Sequence, residues 1–136
     1  MGYVITEEQE TYLKDHQYAV LATGRADGSP QVSQVVYDWD GTDIVISAKS
    51  YTAKWKNALR QPKVALLVHD GRQQLIVYGT TECIDQDPLR AELTIRLYRT
   101  FMEKPEMQID SDFIARLDRE QRTVLRITPD KVFMND

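Results

Sequence analysis

Three Asp-Gly pairs, Asp27-Gly28, Asp40-Gly41 and Asp70-Gly71, each separate short runs rich in β-branched and aromatic residues. Asp-Gly favours a tight turn in which the chain adopts positive φ, so the runs on either side fold back as antiparallel neighbours. Strands are expected at Tyr18–Gly24, Gln31–Tyr37, Thr42–Ser47, Val64–His69, Leu75–Ile84 and Thr123–Thr128, with Lys131–Met134 extending or bordering the sheet. Gly79, in the middle of the fifth run, predicts a bulge or a close backbone approach.

Helices are placed by their caps. Thr6-Glu7-Glu8-Gln9 has the form of a capping box and starts a helix over 7–15. Thr52–Arg60 forms a short helix stopped by Pro62, and Asp87-Pro88 supplies a cap and a first helical residue for a helix running to Phe101. Leu89, Leu93, Leu97 and Phe101 recur every four positions, which predicts one inward stripe. Met102–Ile109 is expected to be an exposed loop and Ser111–Glu120 a short helix. These helices cannot alternate with the strands as regular βαβ units. The pattern therefore points to a small closed barrel, which leaves no open sheet edge, rather than to a doubly wound sheet. An apolar Leu75–Val77 face with Tyr78 is expected to be covered by a second copy of the chain.

At 136 residues the chain is the length of one domain, residues 1–136, with enough material to bury a core. No apolar run is long enough to cross a bilayer, and MGYVITEEQE has neither a basic n-region nor an apolar h-region, so cytoplasmic residence without membrane contact is expected. One cysteine, Cys83, excludes an internal disulfide and is expected to be a small buried hydrophobe. His16 and His69 lack ligand spacing and are expected to be structural, with no metal site.

Charge is distributed unevenly. Between Ile44 and His69 stand Lys49, Lys54, Lys56, Arg60 and Lys63 with no Asp or Glu, although the whole chain has a net charge of -4. A local excess of this kind suits a small anion better than duplex DNA, which needs a broad basic face. The start of the Thr52–Arg60 helix offers unpaired amides and a partial positive charge, so a phosphate would sit well there under Lys54 and Lys56. Each charge-assisted contact contributes on the order of 1.5–3 kcal/mol. The same cations would also suit a solvated helix face, and the segment alone leaves both readings open.

The chain contains no G-x-S-x-G, Walker A, G-x-G-x-x-G, H-E-x-x-H or C-x-x-C motif. Ser33 and Ser47 have no evident His partner, and only Tyr51 and Trp55 accompany the cations, which gives little support for stacking on single-stranded nucleic acid. A site without a reactive side chain is what a protein needs when a bound cofactor carries the chemistry. No catalytic side chain is assigned.

The series Leu21-Ala-Thr, Asp27-Gly-Ser-Pro-Gln-Val-Ser, Ile46-Ser, Ala53-Lys-Trp-Lys-Asn-Ala-Leu-Arg-Gln-Pro-Lys-Val-Ala-Leu, Tyr78-Gly, Asp87-Pro and Leu97-Tyr-Arg99 resembles the pyridoxamine 5'-phosphate oxidase-like FMN-binding split-barrel superfamily. More narrowly, it is similar to the actinobacterial branch described as F420-dependent flavin/deazaflavin oxidoreductases. The resemblance implies a mainly β, α+β fold: a six-stranded antiparallel split β-barrel with flanking helices, forming a homodimer with two cofactor sites at the interface. It implies phosphate binding after the third strand by Thr52, Lys54 and Lys56, with Ala53 and Asn57 beside them. Thr52 departs from the pattern, which commonly has Arg, and Lys49 or Lys56 would then substitute. It further implies that Gln31, Val32, Ser33, Gln34 and Val35 lie along the flavin or deazaflavin ring, joined by Ser47 and Ala48.

The implied activity is hydride transfer from reduced F420 to a conjugated small-molecule acceptor such as a quinone, enone or tetrapyrrole. Positioning alone can lower a barrier by several kcal/mol, up to roughly 7–11 in the best cases. The proton would come from solvent, Tyr37 or Tyr51, and Met102–Ile109 with Arg96-Leu-Tyr-Arg99 would help to line the acceptor side. The alternatives are an FMN-dependent oxidase or reductase and a non-catalytic cofactor or tetrapyrrole carrier; a nucleic-acid or protein interaction domain is the least favoured.

Overall fold

The computed structural model describes residues 5–135. Helix α1 (Glu7–Asp15) precedes strands β1 (Tyr18–Gly24), β2 (Pro30–Trp39) and β3 (Ile44–Lys49). Helix α2 (Ala53–Arg60) follows, then β4 (Lys63–Asp70), β5 (Gln73–Ile84), α3 (Leu89–Phe101), α4 (Ser111–Arg119) and β6 (Arg122–Asn135). The six strands are antiparallel and close into a barrel in the order β1-β2-β3-β6-β5-β4. Closure is made by Val20, Leu21 and Ala22 of β1 against Leu67, Leu66 and Ala65 of β4.

The turns form as their residues require. Gly28, Gly41 and Gly71 all have positive φ, the region that an L side chain rarely enters. Asp27 accepts from the Ser29 amide at 2.9 Å, and Asp40 accepts from the Thr42 and Asp43 amides at 2.8 and 2.6 Å, so a carboxylate fixes each of these two turns. Both halves of the α1 capping box are present: Thr6 Oγ1 accepts from the Gln9 amide and Gln9 Oε1 from the Thr6 amide.

Alternation along the strands fills the interior. Leu21, Tyr37, Ile44, Ile46, Leu66, Val68, Leu75, Val77, Leu125 and Ile127 are buried in one cluster, to which α1 adds Tyr12 and Leu13 and α2 adds Trp55 and Ala58. Outside the barrel, Val45 and Val124 are also buried, because Leu93 of α3 packs over them with Ile84. Helices α3 and α4 then share a second apolar cluster that includes Ile95, Leu97, Tyr98, Phe113 and Leu117. Arg90 ties these helices together, donating to Asp87 at 2.8 Å and to Asp118 at 2.7 Å. Among the described residues, no helix is long and apolar enough to cross a membrane.

Four sequence expectations need correction. Leu75 and Val77 point into the barrel core and are fully buried, so the outward face of β5 offers half-buried Ile76 and exposed Tyr78 in their place. The α3 stripe is wider than a four-residue repeat: Ala91, Thr94, Ile95 and Tyr98 are buried beside Leu93 and Leu97, while Phe101 is exposed, because α4 and the barrel cover different sides of the helix. The helix also begins one residue later than expected. Pro88 is the cap, its carbonyl accepting from the Glu92 amide at 3.0 Å, and the Asp87 carboxylate reaches the Ala91 amide at 3.0 Å. Cys83 is half-buried against the core rather than enclosed by it, and burial raises its thiol pKa.

At Gly79, both readings of the mid-strand glycine hold. The β5–β6 register shifts between Tyr78 and Gly79, and a Cβ at position 79 would stand 2.6 Å from Ile127 Cγ2 and 2.8 Å from the Thr128 carbonyl oxygen. The backbone oxygen cannot give way without moving β6. Gly79→Ala is therefore expected to lower stability by about 1–3 kcal/mol, the usual cost of overpacking, read as a shift in urea midpoint with unchanged slope.

Candidate functional site

On the outer face of β2 and β3, the strands meet α2, α3 and α4 around a cavity of about 350 Å³. Strand alternation decides what faces it. In β2, Val35, Tyr37 and Trp39 are buried inward, which turns Gln34 and Val36 outward. In β3, Ile46 and Ala48 point in, and Ser47 points out beside Lys54 from the first turn of α2. Leu97, Tyr98, Phe101 and Met102 form the apolar wall, and Arg116 and Arg122 complete the lining.

Two polar groups lining this cavity, Ser47 Oγ and Lys54 Nζ, lack partners among the described residues. Ser47 Oγ is buried and has no hydrogen-bond partner, a state that ordinarily costs about 1–3 kcal/mol. Lys54 Nζ makes no hydrogen bond or ion pair among those found for the described residues. Burial, followed by the charges of Arg122 and Lys49, lowers its pKa from the ordinary lysine value. Helix α2 adds to the same potential. Its first-turn amides have no side-chain cap, because Thr52 Oγ1 instead donates to the Lys49 carbonyl at 2.7 Å. A half-buried cation, two neighbouring cations and uncapped amides together make a site suited to an anion such as phosphate. These features fit a phosphate-bearing ring cofactor, with Ser47 Oγ and Gln34 available to its polar edge.

Of the residues chosen from sequence, the cavity brings together Gln34, Val35, Ser47 and Lys54, with Lys49 close enough to act through its charge. The others lie elsewhere. Thr23 Oγ1 donates to Gln31 Oε1 at 2.7 Å, Gln31 Nε2 donates to Ser33 Oγ at 2.7 Å, and Asn57 Nδ2 donates to Thr23 Oγ1 at 3.1 Å. Gln31, Ser33 and Asn57 thus join β1, β2 and α2 in one network through Thr23. Val32, Ala53 and Lys56 are exposed, and Ala48 is buried with its carbonyl accepting from Thr123.

Sequence reasoning missed Arg116, Arg122 and Phe101. Arg122 lies opposite Lys49 in the β3–β6 register, a neighbour more than seventy residues away along the chain that no local pattern announces. Leu97, Tyr98 and Met102 belong to segments already marked as possible lining, but Arg96 and Arg99 from the same patch do not face the cavity. Arg96 donates to Asp38 at 2.8 Å and Asp40 at 3.0 Å, and Arg99 donates to the Met107 carbonyl. Tyr37 is removed as a proton source: its hydroxyl donates to the Leu13 carbonyl at 2.7 Å inside the core, and burial pushes its pKa well above the ordinary value. Tyr51 is exposed, with Lys49 Nζ 5.9 Å from its ring centre. His16 stacks on Tyr12 and contacts its carbonyl and Asp70, a structural arrangement, and His69 is exposed.

Comparison with known proteins bears on this geometry. Residues 5–136 match the profile of the family described as pyridoxamine 5'-phosphate oxidase. A solved F420 reductase is 26% identical, with 95% of this chain and 98% of that one covered and a TM-score of 0.72. A conserved hypothetical protein from Mycobacterium tuberculosis superposes with a TM-score of 0.77 at 20% identity, covering 98% of this chain and 86% of its own. The heme storage protein HutZ from Vibrio cholerae gives 0.73 at 14% identity, covering 96% and 94%. The last two share the fold.

The lowered pKa of Lys54 fixes the sign of a pH effect. Between its depressed folded value and the ordinary value of 10.5, the unfolded chain binds more protons at this site, so its contribution to stability rises with pH across that window. Below the window the buried charge opposes folding. Lys54→Gln is accordingly expected to leave the ligand-free melting temperature at pH 7 unchanged or raised and to flatten its rise in alkali. A substantially lower melting temperature would show instead that Lys54 stabilises the empty site.

Proposed function

Because the chain belongs to the pyridoxamine 5'-phosphate oxidase family of split barrels, we propose that it is an oxidoreductase using reduced F420 to deliver hydride to a conjugated small-molecule acceptor. The observation that carries this reading is the unpartnered, half-buried Lys54 beside the uncapped start of α2 and the orphaned Ser47 hydroxyl. Similarity to an F420 reductase along nearly the full length of both chains favours the deazaflavin over FMN.

When bound, the reduced deazaflavin supplies hydride from C5. The protein's own task is to hold and orient. Lys54, with Lys49 behind it, and the first-turn amides of α2 bind phosphate; Ser47 Oγ and Gln34 meet the polar edge of the ring. Leu97, Tyr98, Phe101 and Met102 keep water from one side of the cleft, where the acceptor is aligned. With Tyr37 sealed in the core, the proton for the product comes from solvent or Tyr51. FMN would use the same cradle and is the alternative cofactor.

On this reading the protein works as a homodimer, with neither nucleic acid nor a membrane as partner. We place the second copy against the exposed face of β5 and β6, where the Tyr78 and Phe133 rings meet edge to face at 6.0 Å. Light scattering on a size-exclusion column is expected to give twice the chain mass, and Tyr78→Lys to shift the population towards monomer.

The function is tested by fluorescence titration of stripped protein with F420 and, in parallel, FMN. Saturable binding of F420 in preference to FMN is expected, with affinity falling about tenfold or more in Lys54→Ala from loss of one charge-assisted contact. Reduced F420 should then be consumed when a quinone is added. Preference for FMN would move the protein to flavin chemistry, and binding of neither would remove the cofactor role of the cradle.

A further inference from the structure

The cavity also carries two arginines: Arg122, whose charge reaches Lys54, and Arg116, which the cofactor cradle does not use. Arg122 opens β6 and Arg116 lies on the last turns of α4, and one carboxylate, Glu120, accepts from both. Its Oε2 is 3.0 Å from Arg116 Nε and its Oε1 is 2.9 Å from Arg122 Nε. Both contacts are made through Nε. Among the described residues neither guanidinium makes a side-chain hydrogen bond through its terminal nitrogens, and Arg116 is steadied by the Tyr98 ring, 5.5 Å from its Cζ. The two arginines are 40% and 25% exposed, held in place yet open to a ligand. Gln121, at φ 56, sits between Glu120 and Arg122 and is anchored by the Ser50 amide, which donates to its carbonyl at 2.8 Å.

The charges do not balance. Arg116, Arg122 and Lys54 all line the cavity, and Glu120 is the one carboxylate paired with any of them among the described residues. Paired guanidinium nitrogens suit a carboxylate better than a lone ammonium does, because their planar donors match its two oxygens. Leu97, Tyr98, Phe101 and Met102 beside them suit a flat apolar body.

We infer that Arg116 and Arg122, fixed by Glu120, form a second anion clamp that selects flat apolar ligands bearing a carboxylate. The inference rests on the cavity being the ligand cleft of the proposed function. The carboxylate could be carried by the hydride acceptor or by the cofactor's own side chain, and the clamp chemistry is the same for both. Glu120 is a positioning residue in this arrangement.

The test uses 2-naphthoate and its neutral counterpart 2-naphthamide, titrated into the full chain and followed by ligand NMR. Naphthoate is expected to bind about tenfold tighter or more, and Arg116→Gln and Arg122→Gln each to reduce that preference. Arg122→Lys, which keeps the charge, should retain part of it, and cooperative thermal melts establish that the variants are folded. Equal affinity for acid and amide in the parent, or an undiminished preference in a folded Arg116→Gln/Arg122→Gln double variant, would overturn the clamp. Repeating the titration with saturating F420 separates the two sources. Retained naphthoate binding assigns the clamp to the acceptor; displacement, together with weaker F420 binding in Arg122→Gln, assigns it to the cofactor side chain. A parent protein that prefers naphthoate but does not bind F420 would keep the clamp and remove the deazaflavin reading. F420 binding without the acid preference would do the reverse.

Discussion

Strand β6 pairs with β5 from Gln74↔Asn135 to Ile84↔Val124 and with β3 from Ile44↔Ile127 to Lys49↔Arg122. Because one strand serves two neighbours, the β1–β3 meander and the β4–β5 hairpin become halves of one closed surface. The remaining seam needs only the short β1–β4 pairing. This closure gives the buried strand residues a common interior and leaves no open edge in the barrel. It also sets Arg122 across from Lys49 and, through the turn at Gln121, sets Glu120 and α4 beside the cavity. The site therefore depends on the last strand to be placed, although most of its sequence signal lies in the middle of the chain.

The electrostatic arrangement works against the stability of the ligand-free molecule and in favour of an occupied site. Lys54 is desolvated and faces other cations, and Ser47 Oγ is buried without a partner. Neither feature helps the protein fold, and an anion or a polar ring edge would relieve both. The rigid surroundings allow it: Trp55 and Ala58 anchor α2 in the barrel core, and Asn57 holds it to Thr23 of β1. Arg90 similarly fixes α3 to α4 through Asp87 and Asp118, so the apolar wall stands opposite the cations. Burial that would be costly in a loop is sustained here by elements that have little freedom to move away.

Membership of the split-barrel family accounts for the fold, and the named relatives differ in what they are called: a reductase of F420 and a heme storage protein share it. The cavity of this chain gathers Lys54 from α2, Arg122 from β6 and Arg116 from α4 beside an apolar wall from α3 and Met102.

Sequence alone determined the strands, most helix limits, the three Asp-Gly turns, the bulge at Gly79 and the antiparallel barrel, because turn chemistry, capping and alternation act over a few residues. It also marked Lys54, Ser47 and Gln34, since a cationic helix start and polar residues in an apolar strand are local anomalies. It could not tell which neighbours of those residues share their cleft. Gln31, Ser33 and Asn57 looked like equal candidates and are occupied with one another, while Tyr37 looked available and is bonded inside the core. Arg116 and Arg122 carried no signal, because their meeting with Lys54 depends on the β3–β6 register and the path of α4. Tertiary structure decided the site for that reason: charges and hydroxyls interact through space at a few ångströms, and only barrel closure brings residues so distant in sequence within that range.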